Sequence, residues 1–106
     1  MTPEQLRALM DLGESATLEF KATTGQRSDA AKTLVAMLNG RGGRVVFGVD
    51  PTGTLRGQQV ADRTIELVAA ELQHIEPTVL PQIDVVPIGE GRSIIVVRVD
   101  QGPLRP

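Results

Sequence analysis

The chain has 106 residues, 41% of them hydrophobic, which is enough for one domain with a single core and too little for two. The formal net charge of -2 argues against tight, non-specific nucleic-acid binding, and the lack of cysteine excludes disulfides and thiolate-bound metals. No apolar run is long enough to cross a bilayer and no leader resembles a signal peptide, so we expect a cytoplasmic protein without a membrane partner.

The charges are distributed unevenly along the chain. Residues 1–60 carry seven Lys and Arg against six Asp and Glu, whereas residues 61–106 carry four against seven. We therefore expect any basic surface to come from the first 60 residues. With two phenylalanines and no Trp or Tyr, the chain is also a poor candidate for stacking bases on aromatic side chains.

The first predicted helix begins after Thr2, with Pro3 at its first position and Gln5 able to complete a capping box, and it ends at Gly13. Residues 17–21 then alternate in the manner of a half-buried strand. This alternation puts Glu19 and Lys21 on the same face of that strand.

Residues 22–27 are polar and predict a loop, after which Ser28 is expected to cap a second helix. Gly40, Gly42 and Gly43 suit a helix end followed by a close approach of two backbones. Residues 45–49 predict a buried strand, residues 50–53 a type I turn, and residues 55–57 a returning arm.

Asp62 is expected to cap a third helix that Pro77 stops, and residues 83–99 predict a β-hairpin whose second strand is apolar on both faces and therefore central. We expect one α+β domain over residues 1–106, with strands 18–21 and 45–49 in one mixed sheet and the helices of Leu34 and Leu72 packed against it. The irregular ending suggests a domain cut from a longer protein, with a further domain after Pro106.

Three carboxylates and a lysine form the first candidate site. Glu19 and Lys21 share a strand face, Glu14 precedes that strand, and Asp50 ends a strand predicted to be its neighbour. Converging carboxylates of this kind can hold Mg2+ or Mn2+. The alternative is that Glu14, Glu19 and Lys21 are solvated surface residues and that Asp50 only caps its turn.

Four basic residues form the second candidate site. Arg41 and Arg44 flank the glycines, Arg56 lies in the returning arm, and Lys21 lies on the neighbouring strand. Together they predict a basic patch that contacts phosphates of DNA or RNA. The glycines themselves do not form a nucleotide phosphate loop, because they precede a strand and lack the Gly-Lys-Ser/Thr ending.

Several segments resemble one family when taken together: GESATLEFK at residues 13–21, LNGRGG at 38–43, VFGVD at 46–50, and the glycines at 53 and 57. They resemble the Schlafen-type Alba-like domain, a module of bacterial and archaeal regulators and helicase-like proteins to which DNA binding is attributed. The resemblance implies an Alba-like order of elements and a nucleic-acid-binding role.

The resemblance also implies candidate catalytic residues. In Schlafen endoribonucleases, two glutamates and an aspartate form a metal-dependent RNA-cleaving site, and Glu14, Glu19 and Asp50 match those positions. We keep three functions open. The first is a nucleic-acid-binding module at the N-terminus of a transcriptional regulator, the second a metal-dependent endoribonuclease, and the third a dimerisation scaffold, since a short sheet of this kind can pair with its own copy.

Overall fold

The computed structural model describes residues 1–75 and 81–101. Its elements are helix α1 (Pro3–Asp11), strand β1 (Leu18–Lys21), a 3-10 helix (Thr24–Gln26), helix α2 (Arg27–Asn39), strand β2 (Gly42–Phe47), helix α3 (Asp62–Leu72), strand β3 (Gln82–Gly89) and strand β4 (Arg92–Asp100). The predicted α+β class is therefore confirmed. None of the helices in these two ranges has the length and apolarity needed to cross a membrane. The predicted stop at Pro77 and the ending after Gln101 lie outside the described residues.

The four strands form one mixed sheet in the order β1-β2-β4-β3. Strand β1 runs parallel to β2, with Leu18 opposite Arg44 and Lys21 opposite Phe47. Strand β4 is antiparallel to both β2 and β3. The two predictions that strands 18–21 and 45–49 share a sheet and that the last strand is central are both confirmed.

Both faces of the sheet are covered, because the two central strands carry apolar side chains in both directions. On one face, the β2 residues Val45 and Phe47 pack with β4 and with helices α2 and α3, which contribute Leu34 and Leu72 as predicted. On the other face, Val46 of β2 packs with Leu6 of α1 and with residues of β1, β3 and β4. Helix α1 therefore covers the face opposite α2 and α3.

The first helix begins as predicted, since the Gln5 N–H donates to Thr2 Oγ1 at 3.1 Å and the Thr2 N–H donates to Gln5 Oε1 at 2.8 Å. The second helix does not, because Ser28 lies inside α2 and caps nothing. The chain enters α2 through the 3-10 helix, whose first turn is capped by the Thr23 hydroxyl accepting from the Gly25 N–H at 3.1 Å. Part of the predicted loop is thus helical.

The third helix begins one residue earlier than predicted, with Ala61 at the N-cap and Asp62 already in the first turn. The Ala61 N–H donates to Thr64 Oγ1 at 3.1 Å, which satisfies this backbone donor at the start of the helix. The turn at residues 50–53 forms as predicted, closed by the Gly53 N–H donating to the Asp50 carbonyl at 2.9 Å. The returning arm meets β2 through a bridge between Val49 and Leu55.

Gly42 and Gly43 belong to strand β2 rather than to the turn before it, and each lies where a side chain would collide with backbone. Gly42 has φ +81°, and a Cβ there would lie 2.7 Å from the Val99 carbonyl oxygen. A Cβ on Gly43 would lie 2.8 Å from the Thr17 carbonyl oxygen and 2.7 Å from Met37 Sδ. The predicted close approach of backbones is therefore confirmed, and it lies between β4 on one side and the entry to β1 on the other.

Gly42→Ala should lower the free energy of unfolding by about 2–5 kcal/mol, because left-handed backbone strain adds to the collision with Val99. Gly53→Ala is the matched control. It has φ +83° but nothing within 4 Å of the added Cβ, so only strain of about 1–2 kcal/mol applies. Urea unfolding measures both variants, and equal losses would contradict the close approach at Gly42.

Candidate functional site

Two arginines face each other across the central strands. Arg44 of β2 and Arg98 of β4 are directly opposite in the antiparallel register. Both point to the α1 side of the sheet, since Val46 and Val96, two residues away along each strand, pack on that side. The expectation that any basic surface comes from residues 1–60 is therefore wrong. Strand alternation fixed the face of Arg98, but only the β2–β4 register brings it beside Arg44.

Both arginines line a cavity of about 320 Å³, which we name the arginine pocket. A third arginine, the exposed Arg41, also lines it. The other walls are Leu9 and Leu12 from the end of α1, the hydroxyl residues Ser15 and Thr17 with Leu18, the glycines 42 and 43, and Val99 with Asp100. The two glycines contribute only backbone to this wall.

The arginine pocket holds more positive charge than its surroundings neutralise. Within residues 1–75 and 81–101, neither Arg41 nor Arg44 has an ion-pair partner. Arg98 Nε is buried and donates to no hydrogen-bond acceptor there, and its ion-pair partner, Asp100 Oδ1, lies 3.6 Å away. Like charges directly opposite on a sheet destabilise it, and buried donors normally have partners. The fold therefore keeps an unfavourable arrangement at this point.

A second cavity, of about 460 Å³, adjoins the arginine pocket and is named the carboxylate groove. It is lined by Glu19 of β1 and by residues of α2, including Thr33 and Met37. Ser15, Thr17 and Arg41 line both cavities. The two cavities thus meet at the segment that leads into β1.

The structure brings Glu14 and Glu19 together. Glu14 Oε2 accepts the Phe20 N–H at 2.8 Å, and Glu19 Oε2 accepts the Thr33 hydroxyl at 3.4 Å. Partial burial is the largest of the effects that raise the pKa of Glu19, and a hydrogen bond with Glu14 and the negative charge of Glu14 raise it further. The positive charge of Lys21 lowers it. The two carboxylates therefore form a pair in which protonation of Glu19 is favoured.

Asp50 is occupied by its own turn. Its carboxylate accepts the N–H groups of Thr52 and Thr54, each at 3.0 Å, and the Thr52 hydroxyl. Arg56 Nε donates to its other oxygen at 2.9 Å. The Thr52 hydroxyl and Arg56 hold the pKa of Asp50 well below its usual range. Asp50 and Arg56 therefore largely neutralise each other.

The two sets of predicted site residues are arranged differently from what the sequence suggested. Arg41 and Arg44 lie at the start of β2, whereas Lys21 and Arg56 lie near its end, so the four do not form one basic patch. In the described part of the chain, no three histidine, aspartate or glutamate side chains form a group that could hold a metal ion. Asp50 is thus not gathered with Glu14 and Glu19 as a ligand set, and metal binding stays a prediction.

The protonation of Glu19 gives a test of this geometry. Glu14→Gln should lower the pKa of Glu19, because it removes a neighbouring negative charge, and Lys21→Met should raise it. Carboxyl NMR titration measures both shifts, with Glu71→Gln on α3 as the control. An unchanged Glu19 pKa in Glu14→Gln would contradict the pairing.

The same shift predicts a dependence of stability on pH. The folded chain binds the Glu19 proton more tightly than the unfolded chain, whose pKa is near the ordinary value of 4.5. The stabilisation by this proton is fully present below pH 4.5 and is lost as the pH rises through the raised folded pKa. Glu19→Gln should remove that part of the pH profile of unfolding, and a profile identical to that of the wild type would contradict it.

Comparison with known proteins gives a family and a fold. The family model described as Schlafen, AlbA_2 matches residues 14–106. The solution structure of the N-terminal domain of a Nitrosomonas europaea protein, described as related to the ATP-dependent DNA helicase RecG, has a TM-score of 0.67 at 21% identity, over 92% of this chain and 71% of that one. The crystal structure of the DIP2311 protein from Corynebacterium diphtheriae has a TM-score of 0.62 at 13% identity, over 94% of this chain and 26% of that one. The chain matches no curated protein.

Proposed function

The chain belongs to the Schlafen AlbA_2 family, and on that premise we propose that it binds nucleic acid through the sugar-phosphate backbone. The proposed contact surface is the arginine pocket with the adjoining carboxylate groove. The observation that carries this proposal is that Arg41 and Arg44 have no ion-pair partner in the described part of the chain and line one cavity with Arg98. Unpaired arginines of this kind match the geometry of phosphate oxygens.

The composition of the chain suggests how such binding works. A net charge of -2 provides little long-range attraction, so binding depends on the local cluster of arginines. The absence of Trp and Tyr, with Phe47 buried and Phe20 half-buried, leaves little aromatic surface for stacking bases. We therefore expect weak binding that is insensitive to sequence and falls steeply with salt. The description of the Nitrosomonas europaea protein as helicase-related agrees with this proposal.

Arg41→Ala with Arg44→Ala should weaken binding of a fluorescent oligonucleotide. If each arginine contacts one phosphate, the slope of log affinity against log salt should fall by about two in the double variant. Fluorescence anisotropy between low and moderate salt measures both quantities, with DNA and RNA of the same sequence compared in parallel.

The control for this experiment is Arg7→Ala with Arg63→Ala, which removes the same charge from exposed positions on α1 and α3. Arg56→Ala should weaken binding less than Arg41→Ala alone or Arg44→Ala alone, because Asp50 already neutralises Arg56. If the control pair weakens binding as much as Arg41→Ala with Arg44→Ala, the effect belongs to net charge and the proposed surface is wrong.

We also propose a finer role, namely that the domain serves a transcriptional regulator and acts as a homodimer. Support for the regulator comes from the family resemblance alone. For the dimer, the edge strand β3 pairs only with β4 within the described residues, and its Val85 is 43% exposed. The outer edge of β1 is already occupied by Ser15 and Glu14, which bond to Leu18 and Phe20. Sedimentation at increasing concentration tests this part, and a monomer throughout would count against it.

Metal-dependent RNA cleavage is the second candidate function. It is favoured by the proximity of Glu14 to Glu19, which lines the carboxylate groove together with Arg41, although Asp50 is held by its own turn. If Glu19 contributes to a metal site, Mn2+ should raise the melting temperature of the wild type and have no such effect on Glu19→Gln. Glu71→Gln should respond as the wild type does. An equal response to Mn2+ in the wild type and Glu19→Gln would remove Glu19 from any such site.

A further inference from the structure

The pairing of Arg44 with Arg98 requires an explanation beyond general backbone binding. A surface that only attracts nucleic acid needs exposed, well-separated cations, which lose little by being solvated. Here two guanidinium groups come from directly opposite positions in the sheet, the arrangement that repels most. A chain selected only for stability would not keep both charges at that register.

The hydrogen-bonding state of Arg98 also indicates that stability alone does not explain this arrangement. Its side chain is 38% exposed and so accessible to a solute, yet its Nε is buried without a hydrogen-bond partner in the described residues. Asp100 does not supply that partner, since its oxygen is 3.6 Å away and its side chain is 80% exposed. A charged donor in this state gains most from an anion that enters the pocket.

The remaining walls of the arginine pocket fit such an anion. Ser15 and Thr17 offer hydroxyl groups, which can donate to phosphate oxygens. Among the described residues that line the pocket, Asp100 is the one carboxylate. On the α1 side, Leu9 and the largely exposed Leu12 form an apolar wall beside the charged one, as a sugar or base attached to the anion would require.

We propose that the arginine pocket is a binding site for one phosphate group of a nucleotide, held between the guanidinium groups of Arg44 and Arg98. This deepens the function proposed above and rests on it for the identity of the natural ligand. The phosphate neutralises two opposed cations and supplies an acceptor for the Arg98 donors. Its source is either an internal phosphodiester or a terminal phosphate, and both present the same oxygens to the pocket.

The test uses inorganic phosphate first, so that it does not depend on nucleic acid. Phosphate, compared with chloride at the same ionic strength, should shift the amide NMR signals of Gly42, Gly43 and Val99 in a saturable way. Arg98→Met should weaken this binding about tenfold or more, because it removes the charged donors and keeps an apolar stem of similar length. Arg63→Met, on α3, should bind phosphate as the wild type does.

A stability measurement separates a binding role from a merely structural one. Without phosphate, Arg98→Met should melt at or above the wild-type temperature, because it relieves the repulsion with Arg44. With phosphate, only the wild type and Arg63→Met should gain stability. If Arg98→Met melts lower and still gains as much from phosphate, Arg98 is structural and the proposal is overturned. Shifts that are absent, unsaturable or unchanged in Arg98→Met overturn it as well.

Oligonucleotides then identify the source of the phosphate. If the wild type prefers a strand with a 5′- or 3′-phosphate over the same strand with a free hydroxyl, and Arg98→Met loses this preference, the pocket binds a terminal phosphate. If the wild type binds both strands equally and Arg98→Met weakens binding to both, the pocket binds an internal phosphate. Phosphate binding without any oligonucleotide binding supports the pocket and refutes the proposed function. Oligonucleotide binding that Arg98→Met and Arg44→Met leave unchanged, with no phosphate binding, refutes the pocket as the contact surface but not nucleic-acid binding itself.

Discussion

The start of strand β2 is the point on which the rest of the structure depends, because two backbones approach it there too closely for any side chain. Gly42 lies against the Val99 carbonyl and Gly43 against Thr17 and Met37. This contact fixes how β1 enters the sheet beside β2 and how β4 leaves it. It also decides the position of the arginines, since Arg41 and Arg44 are the first side chains on either side of the two glycines. The site is thus a consequence of the packing that closes this end of the sheet.

That packing also explains why the arginines are tolerated. Further along β2 and β4, α1 covers the same face with Leu6 over Val46 and Val96. Helix α1 ends at Asp11, and near its end the covering surface gives way to a cavity in which Arg44 and Arg98 remain accessible. The partial negative charge at a helix C-terminus is the favourable end for neighbouring cations. The apolar core and the charged pocket are therefore successive parts of one sheet face.

The sequence allowed most of the fold to be predicted, because its information is local. Alternation assigned the faces of β1, and the two-sided apolar pattern identified β4 as central. The candidate site was harder to predict, because it depends on the register between distant strands and on which side chains pair with each other. No local pattern places Arg98 opposite Arg44, and no local pattern indicates that Arg56 is the partner that Asp50 selects. The start of α2 was missed for a related reason, as a 3-10 turn capped by Thr23 preceded the more familiar signal at Ser28.

The division of charge around β1 shows how a chain of net charge -2 can present a basic site. In a strand, neighbouring side chains point to opposite faces, so Glu19 lies on the α2 side while Leu18 lies on the α1 side with Arg44 opposite it. The carboxylate pair and the arginine pair are thereby kept on different faces of the sheet. The two cavities meet around residues 15–17, where Arg41 lines both. Because an arginine beside a carboxylate would be largely neutralised, this separation keeps Arg44 available to an anion from outside, while Arg98 has the exposed Asp100 at 3.6 Å as its carboxylate neighbour.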